Sequence, residues 1–134
     1  MTLIDKIKRI QEDIDDQIEC INWGGCIHFA YYLSNQLTKL KIQHSILFMD
    51  YRPIDLRYGN FASVSHVAVY VPLIGYIDGA EVFHNIDKPY KRVQKVSLRK
   101  LNNFRNNTTW NNSYDTSQNG LLLRLIEKHL KEIA

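Results

Sequence analysis

The chain has 134 residues, a length that fits one domain spanning 1–134 with a real hydrophobic core. A hydrophobic share of 45%, a charged share of 23% and a net charge of +3 are those of a soluble globular protein rather than a disordered one. No run approaches the roughly 20 apolar residues of a spanning helix, and acids interrupt the N-terminal segment where a signal peptide would be apolar, so the expectation is a cytoplasmic protein without membrane contact.

Leu3, Ile7, Ile10, Ile14 and Ile18 recur at spacings of four, three, four and four. This pattern lines one face of a helix over 3–19, with Thr2 as its N-cap. Trp23-Gly24-Gly25 then turns the chain. Residues 26–40 read as a second helix with Phe29, Ala30, Leu33, Leu37 and Leu40 on a shared face, so Cys26 opens it. Three β-like segments come next at 43–49, 65–71 and 75–78, the last two joined by a turn at Pro72. In the middle one, alternation puts His66, Ala68 and Tyr70 on one face and Val67, Val69 and Val71 on the other, leaving one face for the core and one for chemistry.

A further strand is expected at 92–98. The stretch 101–120 holds seven asparagines and reads as loop or irregular structure. Residues 121–133 complete the chain as an amphipathic helix with Leu122, Ile126, Leu130 and Ile133 inward, and with Lys128, His129 and Lys131 suited to its C-terminal dipole. The predicted class is α+β, with N-terminal helices, a nucleophile helix packed on an antiparallel sheet, and a C-terminal helix.

Cysteine is a strong nucleophile as thiolate, and a helix N-terminus favours that form through its partial positive charge and free N–H groups. Gly24-Gly25-Cys26 sets a thiol there. The glycines also clear space for a substrate carbonyl, whose oxyanion could meet the Cys26 N–H. Alone, this fragment would equally describe a buried cysteine behind a turn. The chain order after Cys26 adds weight: His66 opens the second strand and Asp78 ends the third, and adjacent antiparallel strands bring the two together. An imidazole between thiol and carboxylate can take the proton of Cys26 while Asp78 holds its tautomer.

Gly-Gly-Cys-Ile-His-Phe-Ala at 24–30, Ser-His-Val-Ala-Val-Tyr at 65–70 and Gly-Tyr-Ile-Asp-Gly at 75–79 resemble the Cys, His and aromatic-x-Asp motifs of the transglutaminase-like and papain-like cysteine enzymes. That superfamily includes the arylamine N-acetyltransferases. The resemblance covers Asn22 to about Glu81 and implies a papain-like/transglutaminase-like domain with a Cys26-His66-Asp78 triad. Its intervals of 40 and 12 residues are similar to those of short members. It departs from the papain-like pattern where the oxyanion-binding glutamine would fall, because Cys20 stands there. Asn22 resembles the asparagine before the cysteine of ubiquitin-specific peptidases, though at a different spacing, and Trp23 the indole donor of transglutaminases; both are oxyanion-hole candidates. Asn22 would otherwise cap a turn, and Trp23 would pack.

The implied function is a thiol hydrolase, a peptidase or amidase acting on a peptide or isopeptide amide of a peptide or protein substrate. The alternatives are a transglutaminase- or acetyltransferase-type acyl transferase and a non-catalytic binding module on the same fold. No cofactor is expected. Cys20, Cys26 and His28 match no zinc spacing, so no metal is expected either. The two cysteines are too few and too close for a disulfide framework, and Cys20 is expected to be structural. His28 points to a different face from Cys26 along its helix, and His44, His84 and His129 lack an obvious acidic partner nearby in sequence. Lys88, Lys91, Arg92, Lys95, Arg99, Lys100 and Arg105 read as a solvated basic surface, with nucleic-acid binding the less favoured use. Residues 51–61 could wall a substrate cleft, and Trp110 and Tyr114 could anchor the asparagine-rich stretch.

Overall fold

A computed structural model describes residues 1–51, 64–86, 90–107 and 113–131. Helix α1 covers Leu3–Gln17, and Thr2 and Asp5 form a reciprocal capping box, each side chain accepting from the other's backbone N–H at 3.2 Å. Ile7, Ile10 and Ile14 are buried on the face that the isoleucine spacing marks. The helix stops at Gln17, two residues short of the expected end, with the Ile18 N–H still bonded to Ile14 O at 2.8 Å. Helix α2, Cys26–Lys39, buries Cys26, Ile27, Phe29, Ala30, Leu33, Ser34 and Leu37.

Five strands, β1 (Ser45–Asp50), β2 (His66–Val71), β3 (Gly75–Ile77), β4 (Val82–Phe83) and β5 (Arg92–Val96), make an antiparallel sheet in the order β4-β3-β2-β1-β5. The two-residue strand β4 was too short for its pattern to mark it. Ile46 and Phe48 of β1 and Val67, Val69 and Val71 of β2 join the helices in the main core. The opposite face carries Leu47, Met49 and Ala68 beneath Tyr70, Tyr76, Phe83, Ile86 and Tyr90. The period-two reading of β2 therefore separates two environments: an aliphatic face under α2, and a face lined with aromatics that begins at His66.

The stretch expected to be irregular from 101 is a helix in its first part. Helix α3 covers Leu98–Asn107. Asparagine is a poor helix former, but Leu101 is fully buried and Phe104 packs on Phe48 with ring centroids 5.3 Å apart. Ser97 Oγ accepts from the Lys100 N–H at 3.0 Å, which caps the helix and ends β5 at Val96. Packing and capping outweigh propensity here. A short 3-10 turn at Thr116–Gln118 leads into α4, Asn119–His129, which starts two residues earlier than expected and buries Leu122, Leu125 and Ile126. Ile133, Trp110, Lys88 and positions 52–61 of the expected cleft wall lie outside the described residues.

The described part is thus α+β, with α1, α2, α3 and α4 on one face of the five-stranded sheet. Among the described residues no helix is long and apolar enough to cross a membrane. The basic run is not uniformly solvated. Arg92 is buried against Asp50, Nη2 to Oδ2 at 3.4 Å, and the Arg105 guanidinium sits 4.1 Å from the Tyr31 ring centroid. Neither pairing could be read from charge counts, since Asp50 lies 42 positions from Arg92.

Candidate active site

The turn between α1 and α2 presents the thiol. Cys20 takes a left-handed φ of 61°, its carbonyl accepts from the Trp23 N–H at 2.9 Å, and Gly24 comes after it at φ 108°, a conformation that favours glycine. Cys26 is the first residue of α2, so its N–H is among those the helix itself cannot pair. It is 1% exposed. The sequence reading placed a thiol at a helix N-terminus, and the structure puts it there.

His66 and Asp78 meet because of strand register. Val69 pairs with Ile77 and Tyr70 with Tyr76. Continuing that register beyond Ile77 sets Asp78 opposite Ala68, diagonal to His66 on the same face. His66 Nε2 lies 2.9 Å from Asp78 Oδ2, and the Cys26 thiol is close enough to the same ring to raise its pKa. The structure therefore brings all three sequence-derived residues together, with imidazole in the middle.

Asp78 is 3% exposed and highly constrained. Its Oδ1 accepts from the N–H groups of Ala80 at 2.8 Å and Glu81 at 2.9 Å, while its own carbonyl accepts from Gln11 Nε2 at 2.9 Å. Burial alone would raise its pKa, but the bonds from His66, Ala80 and Glu81 prevail and hold it below the ordinary carboxylate value. Burial likewise disfavours charge on His66; the hydrogen bonds to Asp78 and Cys26, with the charges of both, more than offset it and raise the ring to about 9. The imidazolium is thus the form present at neutral pH.

The oxyanion candidates stand differently. Asn22 and Trp23 border a cavity of about 670 Å³ whose wall also includes Gly79 and Ala80 beside Asp78. Asn22 buries its Oδ1 without a partner among the described residues; the Nδ2 of the same amide is the group that would donate to an oxyanion. Trp23 is 72% exposed, so it does not serve as packing. No hydrogen bond among the described residues ties either side chain to the triad. By position, the Cys26 N–H at the start of α2 is a backbone donor that the helix leaves free for an oxyanion.

Sequence reasoning missed Tyr90. Its ring stacks on Tyr51 at 4.8 Å, and burial, a hydrogen bond to Tyr51 and the negative charges of Tyr51, Cys26 and Asp78 raise its phenol pKa. Tyr90 thus stands within electrostatic reach of two triad members. The Lys91 N–H donates to Asp50 O at 2.8 Å, which aligns 90 with 51; no local pattern signals that pairing. Below it, Ser65 Oγ donates to Asp50 Oδ1 at 2.9 Å, bracing the strand ends beside His66.

The remaining histidines have other partners. His28 stacks on Tyr114 at 5.5 Å, and burial, helped by the Arg105 charge, pushes its pKa down to about 4. His44 bonds Ser34 Oγ at 2.6 Å, and His129 does have an acidic partner, Asp13, at 2.6 Å across 116 positions. Cys20 is half-buried on the cavity wall. Among the described residues no group of three His, Cys, Asp or Glu could hold a metal ion. No protein-family model, curated protein or solved structure matches this chain.

Proposed function

We propose that the protein is a cysteine-dependent acyl-transfer enzyme of papain-like or transglutaminase-like fold, a thiol hydrolase that cleaves a peptide or isopeptide amide. One observation carries this reading: His66 is hydrogen-bonded to Asp78 at 2.9 Å, and Cys26 at the N-terminus of α2 is close enough to the same ring to raise its pKa. In the proposed cycle the Cys26 thiolate attacks the amide carbonyl, and the oxyanion takes a hydrogen bond from the Cys26 N–H. The His66 imidazolium gives its proton to the leaving amine as the C–N bond breaks, leaving a thioester on Cys26 and a neutral ring. That ring then takes a proton from water, hydroxide attacks the thioester, and the released thiolate re-forms the ion pair with the imidazolium. Asp78 keeps one tautomer throughout.

A second reading has one observation in its favour. Cys26 is 1% exposed, which suits a binding module that keeps the fold without turnover. An electrophilic peptide or acyl probe, combined with mass spectrometry of the modified residue, separates the two. Modification of Cys26 supports the enzyme, and absence of any adduct on a folded protein supports the module.

A further inference from the structure

The two outer members of the triad each have a glycine beside them in the chain, and both glycines press on one residue, Ile21. Gly25, before Cys26, comes so near that a Cβ would stand 2.6 Å from Ile21 O and 2.9 Å from Ile21 Cα. On its other side the same Cβ would stand 2.6 Å from Tyr114 Cδ2. Its φ of −78° and ψ of −15° are helical, so lack of room rather than unusual conformation excludes a side chain. Gly79, after Asp78, packs on the Ile21 side chain: a Cβ there would strike Cγ1 and lie 3.3 Å from Cγ2.

Tyr114, Gly25, Ile21 and Gly79 thus form a filled row linking the chain just before the nucleophile to the chain just after the acid. We propose that Ile21 is a positioning residue whose volume sets the spacing of Cys26 and Asp78 across His66. The inference rests on the triad reading above.

Both ends of the row are anchored, so a change of volume within it has few places to go. The Tyr114 N–H donates to Trp23 O at 3.2 Å, and its hydroxyl donates to Asn119 Oδ1 at 2.7 Å. Gln118 accepts from the Glu19 N–H at 2.8 Å and donates to Glu19 O at 3.1 Å, fixing the start of the same turn. At the far end Gln11 holds Asp78 O at 2.9 Å. Interiors packed to this density transmit a misfit rather than absorb it. A misfit at Gly79 reaches Asp78 directly, and with it the 2.9 Å contact between Asp78 and His66.

The test is a compensating pair. Gly79→Ala puts a methyl where Ile21 Cγ1 stands, and Ile21→Ala in the same chain removes that atom. Two quantities are read on folded protein: the titration midpoint of the His66 ring by NMR, and the rate of Cys26 alkylation by iodoacetamide at neutral pH. Gly79→Ala is expected to lower the midpoint by about one unit or more and to slow alkylation about tenfold, as loss of a close carboxylate contact implies. The double variant is expected to recover most of both. A merely structural glycine would give no such recovery.

Unchanged values in Gly79→Ala, or no recovery in the double variant, overturn the proposal. Should Gly79→Ala not fold, Ile21→Ala alone decides: a half-buried site tolerates it, the midpoint is expected to shift, and an unshifted midpoint overturns the spacer. If wild-type Cys26 alkylates no faster than Cys20, the enzyme reading fails, and the NMR measurement still decides the role of Ile21.

Discussion

Cys20 and Cys26 flank one turn and carry the same thiol, yet their surroundings oppose each other. Cys20 is half-buried in a left-handed turn residue on a cavity wall, where a reagent can reach it. Cys26 is almost wholly covered, but it opens α2 and lies beside the His66 ring, whose pKa is raised to about 9. Exposure favours the first and electrostatics the second. Thiol chemistry is governed by the thiolate and its stabilisation, so the proposed function assigns reactivity to Cys26 in spite of its burial.

The sharpest way to break that comparison is to remove each sulfur in turn. Cys26→Ala should abolish turnover and electrophile labelling at neutral pH, a loss of about 10³-fold or more. Cys20→Ser should leave both within about twofold, because no element of the triad depends on its sulfur. Labelling read by mass spectrometry, with circular dichroism to check folding, measures this. Labelling that survives in Cys26→Ala and vanishes in Cys20→Ser would reverse the assignment.

A smaller effect is expected at the third member. Asp78→Asn keeps an oxygen for the Ala80 and Glu81 N–H groups but withdraws the charge that favours the imidazolium. Turnover should fall by about 10²- to 10⁴-fold with the protein still folded, and the His66 midpoint should drop from about 9 toward the ordinary histidine value. Steady-state rates and ring NMR on one sample test both, and an unmoved midpoint would separate Asp78 from the role assigned to it.

How much of this could be read from residue order depends on the range of each interaction. The isoleucine spacing of α1 and the alternation in β2 are local, so they marked the correct faces. His66 and Asp78 were legible because β2 and β3 are short strands joined by the Pro72 turn, so register over a few residues fixes their meeting. Tyr90 on Tyr51, Arg92 on Asp50 and His129 on Asp13 depend on where distant elements lie, and no periodicity encodes that. The asparagines of α3 misled for the opposite reason: their local preference is real, but Leu101 and Phe104 gain more from the core than the helix loses. Ile21 escaped notice because its role is defined only by two glycines, one of them 58 positions away (79 minus 21).

The least dramatic difference is in pH dependence, and the shifts on folding fix its sign. His66 is raised from 6.5 to about 9 on folding, so its contribution to stability is complete below about pH 6.5 and disappears as pH climbs through 9. At about 1.4 kcal/mol per unit, that contribution is at most about 3.5 kcal/mol. Asp78 is lowered, so its contribution is present above the ordinary carboxylate value and is lost as pH falls through its folded value. His28, lowered from 6.5 to about 4, contributes stability that is present above 6.5 and lost as pH falls toward 4, so thermal stability should be greatest near pH 6.5 and decline both toward 9 and toward 4. Turnover should stay level near neutrality and then fall about tenfold for each unit above 9, because a neutral His66 has no proton for the leaving amine. In Cys26→Ala the neighbouring sulfur that helps raise His66 is gone, so its midpoint should fall and the alkaline loss of stability should begin at lower pH. In Cys20→Ser neither should move. Melting curves across pH for the two variants check this, and identical alkaline limbs in both would mean that the thiol of Cys26 does not contribute to the charge on His66.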